Sequence, residues 1–362
     1  MLRMQGTPDQ PNQRSMKGRG ALSNPANRFE PLQTEPVDDG WWQDAIPKTI
    51  RTELLKEQVR TIISTNQSPD IPFEQSINPY RGCEHGCIYC YARPSHAYWD
   101  MSPGLDFETK IVTKPDAALR LREQLSRPSY VCKPIVIGAN TDPYQPAEAL
   151  VQTTRQLLSV LQEFSHPFSI ITKSAMVLRD LDILAPMAEK QLCSVAVSIT
   201  TLDNEIKRRL EPRTASPAAR LRVVEQLSSA GIPVTVMVAP VIPRITDHEL
   251  EAILSASKSA GAHTANYIFL RLPREVAPMF RDWLVEHYPD RAAHVMNIVQ
   301  QSHGGKDYRS EFGKRMTGEG VFADLIKQRF RLAVKKLDLL HAESSRLDCG
   351  QFHRANEQLS LF

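Results

Sequence analysis

The sequence predicts an α/β fold: a parallel sheet covered by helices, either doubly wound and open or closed into a full or partial barrel. Three observations carry that prediction. Short β-branched runs alternate with stretches of helical spacing about six times between residues 76 and 290. The runs are continuously apolar, as befits strands buried on both faces. Polar residues gather where each run ends, the edge at which such folds place their chemistry.

Residues 1–45 are rich in Pro, Gln, Asn, Gly and Arg and have almost no apolar period. Such a segment buries too little surface to offset its ordering entropy, so a flexible extension, or one draped over the core, is expected. Its cations Arg3, Arg14, Lys17, Arg19 and Arg28 are read as a solvated tail, with contact to a phosphate backbone the rarer alternative. "WWQDAIPKTIRTELLKEQVRTIIS" then offers an aromatic anchor, and residues 46–75 are read as a helical lead-in.

The core is expected over 76–290, opening with a strand in "SINPYRG" and a cysteine loop. "KPIVIGAN" (133–140) is the next strand, followed by the helical "EALVQTTRQLLSVLQEF". "PFSIITKS" (167–174), "LCSVAVSITT" (192–201), "IPVTVMVAPVIP" (232–243) and "TANYIFLRLP" (264–273) follow, each with its own helix. Gly231 has the place of a helix C-cap, and Thr246 with Glu249 the spacing of a capping box. The strand-end series comprises Arg81, Asn140–Thr141–Asp142, Thr172–Lys173–Ser174, Ser198–Ile199–Thr200, residues 239–244 and 271–274.

The segment 291–362 reads as a C-terminal helical extension. A Gly-rich polar stretch leads to "VFADLIKQRFRLAVKKLDLLH", in which Ile326, Phe330, Val334, Leu337 and Leu340 share a face. Lys327, Arg329, Arg331, Lys335 and Lys336 take the other faces and are read as solvated, with nucleic-acid contact the minority alternative.

An apolar content of 41% with 23% charged residues is that of an ordinary globular protein, and a net charge of +3 is too small to argue for nucleic acid. No run approaches the roughly 18 apolar residues of a membrane span. The N-terminus lacks the apolar core of a secretory signal. Cys132, Cys193 and Cys349 are scattered singly, as reduced thiols are, so a cytoplasmic location without a membrane partner is expected.

Chemistry concentrates in "NPYRGCEHGCIYCYARP" (78–94), where Cys83, Cys87 and Cys90 fall within eight positions. A disulfide leaves one thiol over. A redox pair of Cys87 and Cys90 leaves Cys83 unexplained. Zinc needs a fourth ligand; His85 lies awkwardly inside the first gap, and His96 is the candidate. A [4Fe–4S] cluster held by three thiolates leaves one iron open to an amino-acid moiety, such as that of S-adenosylmethionine (SAM). The spacing and the βα context favour this last reading, with zinc the alternative.

C-x3-C-x2-C with Tyr89 before the third cysteine, in the loop after the first strand of a βα series, resembles the radical SAM superfamily. The resemblance implies a partial (β/α)6 barrel of that type, a [4Fe–4S] cluster on Cys83, Cys87 and Cys90, and SAM. It implies one-electron cleavage of the sulfonium to methionine and a 5′-deoxyadenosyl radical that abstracts hydrogen from a substrate. A reducing partner such as flavodoxin or ferredoxin is then needed. Tyr89 and Tyr91 around the third cysteine, "TKS", "VSIT" and "LEPRTASPAARLRVVEQLSSAGIPVTVMVAPVI" resemble the spore photoproduct lyase-like branch, which acts on DNA. By that likeness Lys173 and Ser198 hold the carboxylate or ribose of SAM, and Asn140, Thr141 and Asp142 line the second strand end. That branch carries a hydrogen-donating cysteine where Ala139 stands here, which argues against repair by the same route.

Tyr89 and Thr200 are further cofactor candidates. Glu211 and Arg213 are weighed evenly between anchoring SAM and forming a structural ion pair. Arg271 and Arg274 are more simply solvated cations than substrate contacts. Tyr91 is a catalytic candidate as a hydrogen-atom relay, with packing against the loop the plainer role. The reading is a radical SAM enzyme acting on an unassigned substrate, with a nucleobase in nucleic acid a candidate. A lesion lyase, a methyl- or thio-transferring modifier and a non-catalytic iron–sulfur or zinc module are the alternatives.

Overall fold

The computed structural model describes residues 16–30, 50–339 and 347–354. Trp41, Trp42, Arg3, Arg14 and Leu340 lie outside those residues.

Six strands are parallel and run in chain order across one sheet: β3 (Gln75–Ile77), β6 (Ile135–Ile137), β7 (Phe168–Thr172), β8 (Cys193–Ser198), β9 (Val234–Val241) and β10 (Thr264–Phe269). The remaining strands are β1 (Glu53–Lys56), β2 (Ile63–Thr65), β4 (Tyr80–Arg81) and β5 (Lys110–Thr113). β2 closes one edge of the large sheet antiparallel to β3, and β1–β5–β4 form a small second sheet. β2 and β10 are the two ends of the large sheet, so the barrel is partial.

Helices follow the strands in the expected alternation. They are α1 (Leu105–Thr109), α2 (Ala117–Leu125), α3 (Glu148–Val151), α4 (Thr153–Glu163), α5 (Leu181–Glu189), α6 (Asn204–Leu210), α7 (Pro217–Ser229), α8 (Leu250–Ser259), α9 (Val276–His287), α10 (Pro289–Ser302) and α11 (Val321–Lys336). Residues of β6–β9 such as Ile135, Ile170, Val195 and Val236 share one buried cluster with Leu157, Leu184, Val223 and Ile253 of the covering helices. That two-sided burial explains the continuous apolar runs.

Several expectations are corrected. The helical lead-in is strand wherever it is regular among residues 50–75, because β1 finds a ladder partner in β5 and β2 in β3. Of the two readings of the N-terminal extension, residues 16–30 show the draped one: Ala21 is buried, and Arg19 donates to the Glu108 carbonyl at 2.7 Å and the Ile50 carbonyl at 2.7 Å. Arg28 pairs with Glu275 at 3.0 Å, so neither arginine is a free tail cation. The boundary at 290 falls inside α10, whose Val295, Met296 and Val299 are buried with Phe280 and Trp283 of α9. Thr246 makes no cap: its Oγ1 accepts from Ile242 N at 2.9 Å, while Glu249 accepts from Leu202 N at 2.7 Å. Gly231 follows α7 with φ +75°, as expected. On α11, Ile326 and Val334 are buried, Phe330 and Leu337 partly so, and Arg329 pairs with Glu251 at 2.6 Å.

Candidate active site

The strands β6 to β10 end around one open cavity. It is lined by Cys83, Cys87 and Cys90 from the loop after β4, and by Asn140, Asp142, Lys173 and Ser198 from successive strand ends. Ile171, Met237, Ile268 and Leu270 supply apolar wall, and the cavity holds about 180 Å³.

The cysteine loop is shaped mainly from behind. Gly82 and Gly86 have φ of +74° and +67°, where only glycine is unstrained. Arg93, fully buried, donates Nε to the Cys87 carbonyl at 2.9 Å and its Nη1 to Pro103 and Gly104 carbonyls. Its other nitrogen pairs with buried Glu108, which also accepts from Gly20 N at 3.0 Å and Ala21 N at 2.8 Å. Gln145 ties Glu84 N at 2.9 Å and the Gly82 carbonyl at 3.2 Å, and Ile88 N reaches the Leu210 carbonyl at 3.1 Å. Gly20 packs so closely that a Cβ there would stand 1.8 Å from the Gly86 oxygen.

Two carboxylates organise the walls. Asp142 accepts from Thr172 Oγ1 at 2.8 Å and Lys173 N at 2.7 Å, and lies 3.3 Å from His85 Nδ1. Burial would raise its pKa, but His85 and these hydrogen bonds outweigh burial and hold it below the usual range. Glu211 is fully buried and accepts from Tyr89, from Thr200 Oγ1 at 2.7 Å and from Arg220. Burial opposes its charge, yet Arg220, Lys173 and the Tyr89 and Thr200 bonds bring it to about 2. Lys173 is driven down by burial and more strongly up by Glu211 and Cys87, so its ammonium is raised above the ordinary lysine value.

The structure brings together most of the predicted site residues. Cys83, Cys87, Cys90, Tyr89, Tyr91, Asn140, Asp142, Lys173 and Ser198 all line the cavity. Thr141, Thr200, Glu211 and Arg213 are not among its lining residues. Thr141 Oγ1 donates to the Tyr80 carbonyl at 2.9 Å, Thr200 and Glu211 form the buried network behind Tyr89, and Arg213 pairs with Glu84 at 3.1 Å. These four support the wall instead of facing the cavity. Tyr91 donates to the Ala139 carbonyl and carries the Arg271 guanidinium over its ring at 4.0 Å. Arg271 is therefore a lining residue, against the plainer reading of a solvated cation. Sequence reasoning missed His85 as a lining residue, Arg93, Gln145 and Arg220; the turn glycine Gly138 (φ +88°) was the one local signal beside Asn140.

The residues fit the group that their spacing suggested. Three soft thiol donors share one cavity rim, the donor set of an iron–sulfur cluster. Burial raises the Cys83 thiol, with Asp142 and the other two cysteines adding to it, and takes Cys87 to about 12. Loading a metal there releases protons. Zinc fits less well. His96 is buried behind the loop, edge-on to Phe107, and is not in the cavity lining.

Comparison with known proteins bears on family and fold. The Radical SAM superfamily profile matches residues 77–256. An uncharacterized protein of Mycobacterium tuberculosis is 36% identical over 283 residues, covering 74% of this chain and 82% of its own. One of Methanocaldococcus jannaschii is 25% identical over 247 residues, covering 68% and 88%. Among solved structures, spore photoproduct lyase complexed with dinucleoside spore photoproduct superposes with a TM-score of 0.55 at 17% identity, covering 78% of this chain and 79% of that one. At that identity the likeness is one of fold. No helix among the described residues is long and apolar enough to cross a membrane.

Proposed function

We propose, for a chain that belongs to the radical SAM superfamily, that Cys83, Cys87 and Cys90 ligate a [4Fe–4S] cluster and that SAM sits beside it in the same cavity. The observation that carries this reading is the convergence of those thiols with Lys173, Asp142 and Ser198 at the carboxyl ends of the parallel strands. When bound, cluster and SAM supply one-electron reductive cleavage of the sulfonium, with a low-potential donor such as flavodoxin or ferredoxin as the electron source.

The chain's own residues bind and orient. Lys173 offers a half-buried ammonium on the cavity wall for the SAM carboxylate. Asp142 and Asn140 present acceptors and donors for amine or ribose groups, and Asp142 is already fixed by Thr172 and the Lys173 amide. The Ser198 hydroxyl joins them, its own carbonyl held by Arg220 at 2.9 Å. Tyr89 is anchored to Glu211 and so keeps the third cysteine's neighbour in place. Ile171, Met237, Ile268 and Leu270 exclude water from a site where a reactive radical must be protected. Tyr91, pinned between Ala139 and Arg271, closes the rim next to Cys90 and is the candidate hydrogen-atom relay.

The substrate is unassigned. A DNA-lesion lyase, the second reading, is supported by the shared fold but opposed by Ala139, which offers no thiol at that strand end. The test is anaerobic reconstitution with iron and sulfide, reduction in the presence of SAM, and chromatography of 5′-deoxyadenosine. Formation that disappears in Cys87→Ala supports the reading. Four bound irons with no 5′-deoxyadenosine would return the chain to a binding module, and one bound zinc would remove the cluster.

A further inference from the structure

A second cavity, of about 400 Å³ and predominantly polar, adjoins the first; Asn140 lines both. Its walls include Glu57, Arg60, Asn78, Arg81 and Lys114. The charges do not cancel. Arg81 consumes the carboxylate of Glu57 in two bonds of 2.8 and 3.1 Å, leaving Arg60 and Lys114.

Lys114 is the unusual group. It is 7% exposed, and its ammonium donates to one acceptor, the Asn78 carbonyl at 2.6 Å. Among the described residues no carboxylate oxygen lies within 4.0 Å of it. An ammonium has three donors, and a buried cation is ordinarily paired. Burial and the nearby Arg81 charge lower its pKa to about 8, against a smaller pull from Glu57, as expected of a cation short of an anion.

Lys114 is also joined to the first cavity. The Asn78 residue whose carbonyl it holds uses its side-chain oxygen to accept from Asn140 N at 2.8 Å and Thr141 N at 3.4 Å. An anion seated on Lys114 and Arg60 is therefore one residue away from the cavity where Asn140, Asp142 and Cys83 stand.

We propose that this second cavity is a subsite for a phosphate group of the substrate, held by Lys114 and Arg60, so that the rest of the molecule reaches the first cavity past Asn140. The substrate class is then a phosphate ester. Ser64, Arg81 and the Asn78 side chain border the same space and can complete the hydrogen bonding of its oxygens. This assignment rests on the proposed function for its meaning, but the binding itself does not require a cluster or SAM.

The experiment is calorimetric titration of the full chain, and of Cys87→Ala, with inorganic pyrophosphate. One saturable site is expected in both, weakening as salt rises. Lys114→Met should weaken it tenfold or more, and the exposed Arg60→Gln several-fold, so the proposal stays testable should Lys114→Met fail to fold. Absence of saturable binding, or binding unchanged by Arg60→Gln and Lys114→Met alike, overturns it. Retention of binding in Cys87→Ala separates this proposal from failure of the cluster reading. Competition by a nucleoside 5′-monophosphate assigns the phosphate to a mononucleotide-sized ester. Competition by a dinucleoside monophosphate, with no terminal phosphate, assigns it to a diester. Competition by neither leaves an adventitious anion site and overturns the substrate role.

Discussion

The pair of Arg93 and Glu108 supports the cysteine loop, and its energetics can be tested directly. Both side chains are fully buried, and Arg93 holds the Cys87 carbonyl while Glu108 holds the Gly20 and Ala21 amides. Glu108→Gln keeps an oxygen for one amide but leaves the guanidinium without its counter-charge. Removing one member of a buried pair costs about 3–5 kcal/mol, because the survivor remains desolvated. Arg93→Met leaves Glu108 without its counter-charge and takes one donor from the Cys87, Pro103 and Gly104 carbonyls, of which Cys87 keeps Cys90 N at 3.2 Å; each carbonyl left with no partner costs about 1–3 kcal/mol. The double variant no longer holds a lone charge, so it should cost less than the sum of the singles by about 1–3 kcal/mol. Urea denaturation followed by tryptophan fluorescence gives the four stabilities. Hydrogen exchange at Gly20 and Ala21 should accelerate in Glu108→Gln. An additive cycle, or a Glu108→Gln cost within about 0.5 kcal/mol of zero, would refute the account of the pair as a buried charge network.

Other substitutions report on neighbouring claims. Gly86→Ala should lower iron bound after reconstitution, since its Cβ would stand 2.7 Å from Glu108 Oε2; Gly231→Ala, at φ +75° but in open space, should bind iron normally. His166 is buried between Tyr130 and the Pro167 carbonyl, and burial takes its pKa down to about 4 from 6.5. The unfolded chain then binds the proton first, so stability is complete above about pH 6.5 and declines as pH falls toward 4. Urea midpoints between those values should fall in the wild type and fall less in His166→Gln. Arg122→Gln, at the half-exposed pair with Glu163, should change stability by less than about 1 kcal/mol, and by less still at high salt.

What could be read from the sequence was local or periodic. The six strands of the partial barrel and the C-cap at Gly231 follow from patterns confined to a few residues. The cysteine loop was legible because its spacing is itself the signal. The strands β1 and β2 were not, because their ladders depend on segments 57 residues and 10–14 residues away, and "ELLKEQVRTIIS" by itself also fits a helix. α10 was missed because polar residues interrupt its apolar face, although Val295 and Val299 fit a helical repeat. Arg93, Arg220 and Gln145 gave no sign of being interior residues, since a lone polar side chain is ordinarily exposed. Only the facing carboxylate or carbonyl decides otherwise. For Glu211 and Arg213, nearness to the strand ends left ligand contact and a structural ion pair equally open, and the ion pairs with Arg220 and Glu84 are what the fold shows.

The way the cysteine loop is secured also fixes an order of events in time. Gly20 and Ala21 are made long before Glu108, and Tyr89 lies 122 residues ahead of Glu211. At about 5–20 residues per second, roughly 6–24 s separate synthesis of the loop from synthesis of the residue that anchors it. During that interval the three thiols belong to a segment with no finished wall behind it. Iron and sulfide delivered then would meet a floppy chelator, and delivered later would meet a preformed cradle. Under the proposed cluster assignment, metal loading follows closure of the wall, and a chain truncated before Glu211 should take up less iron on reconstitution than the full chain.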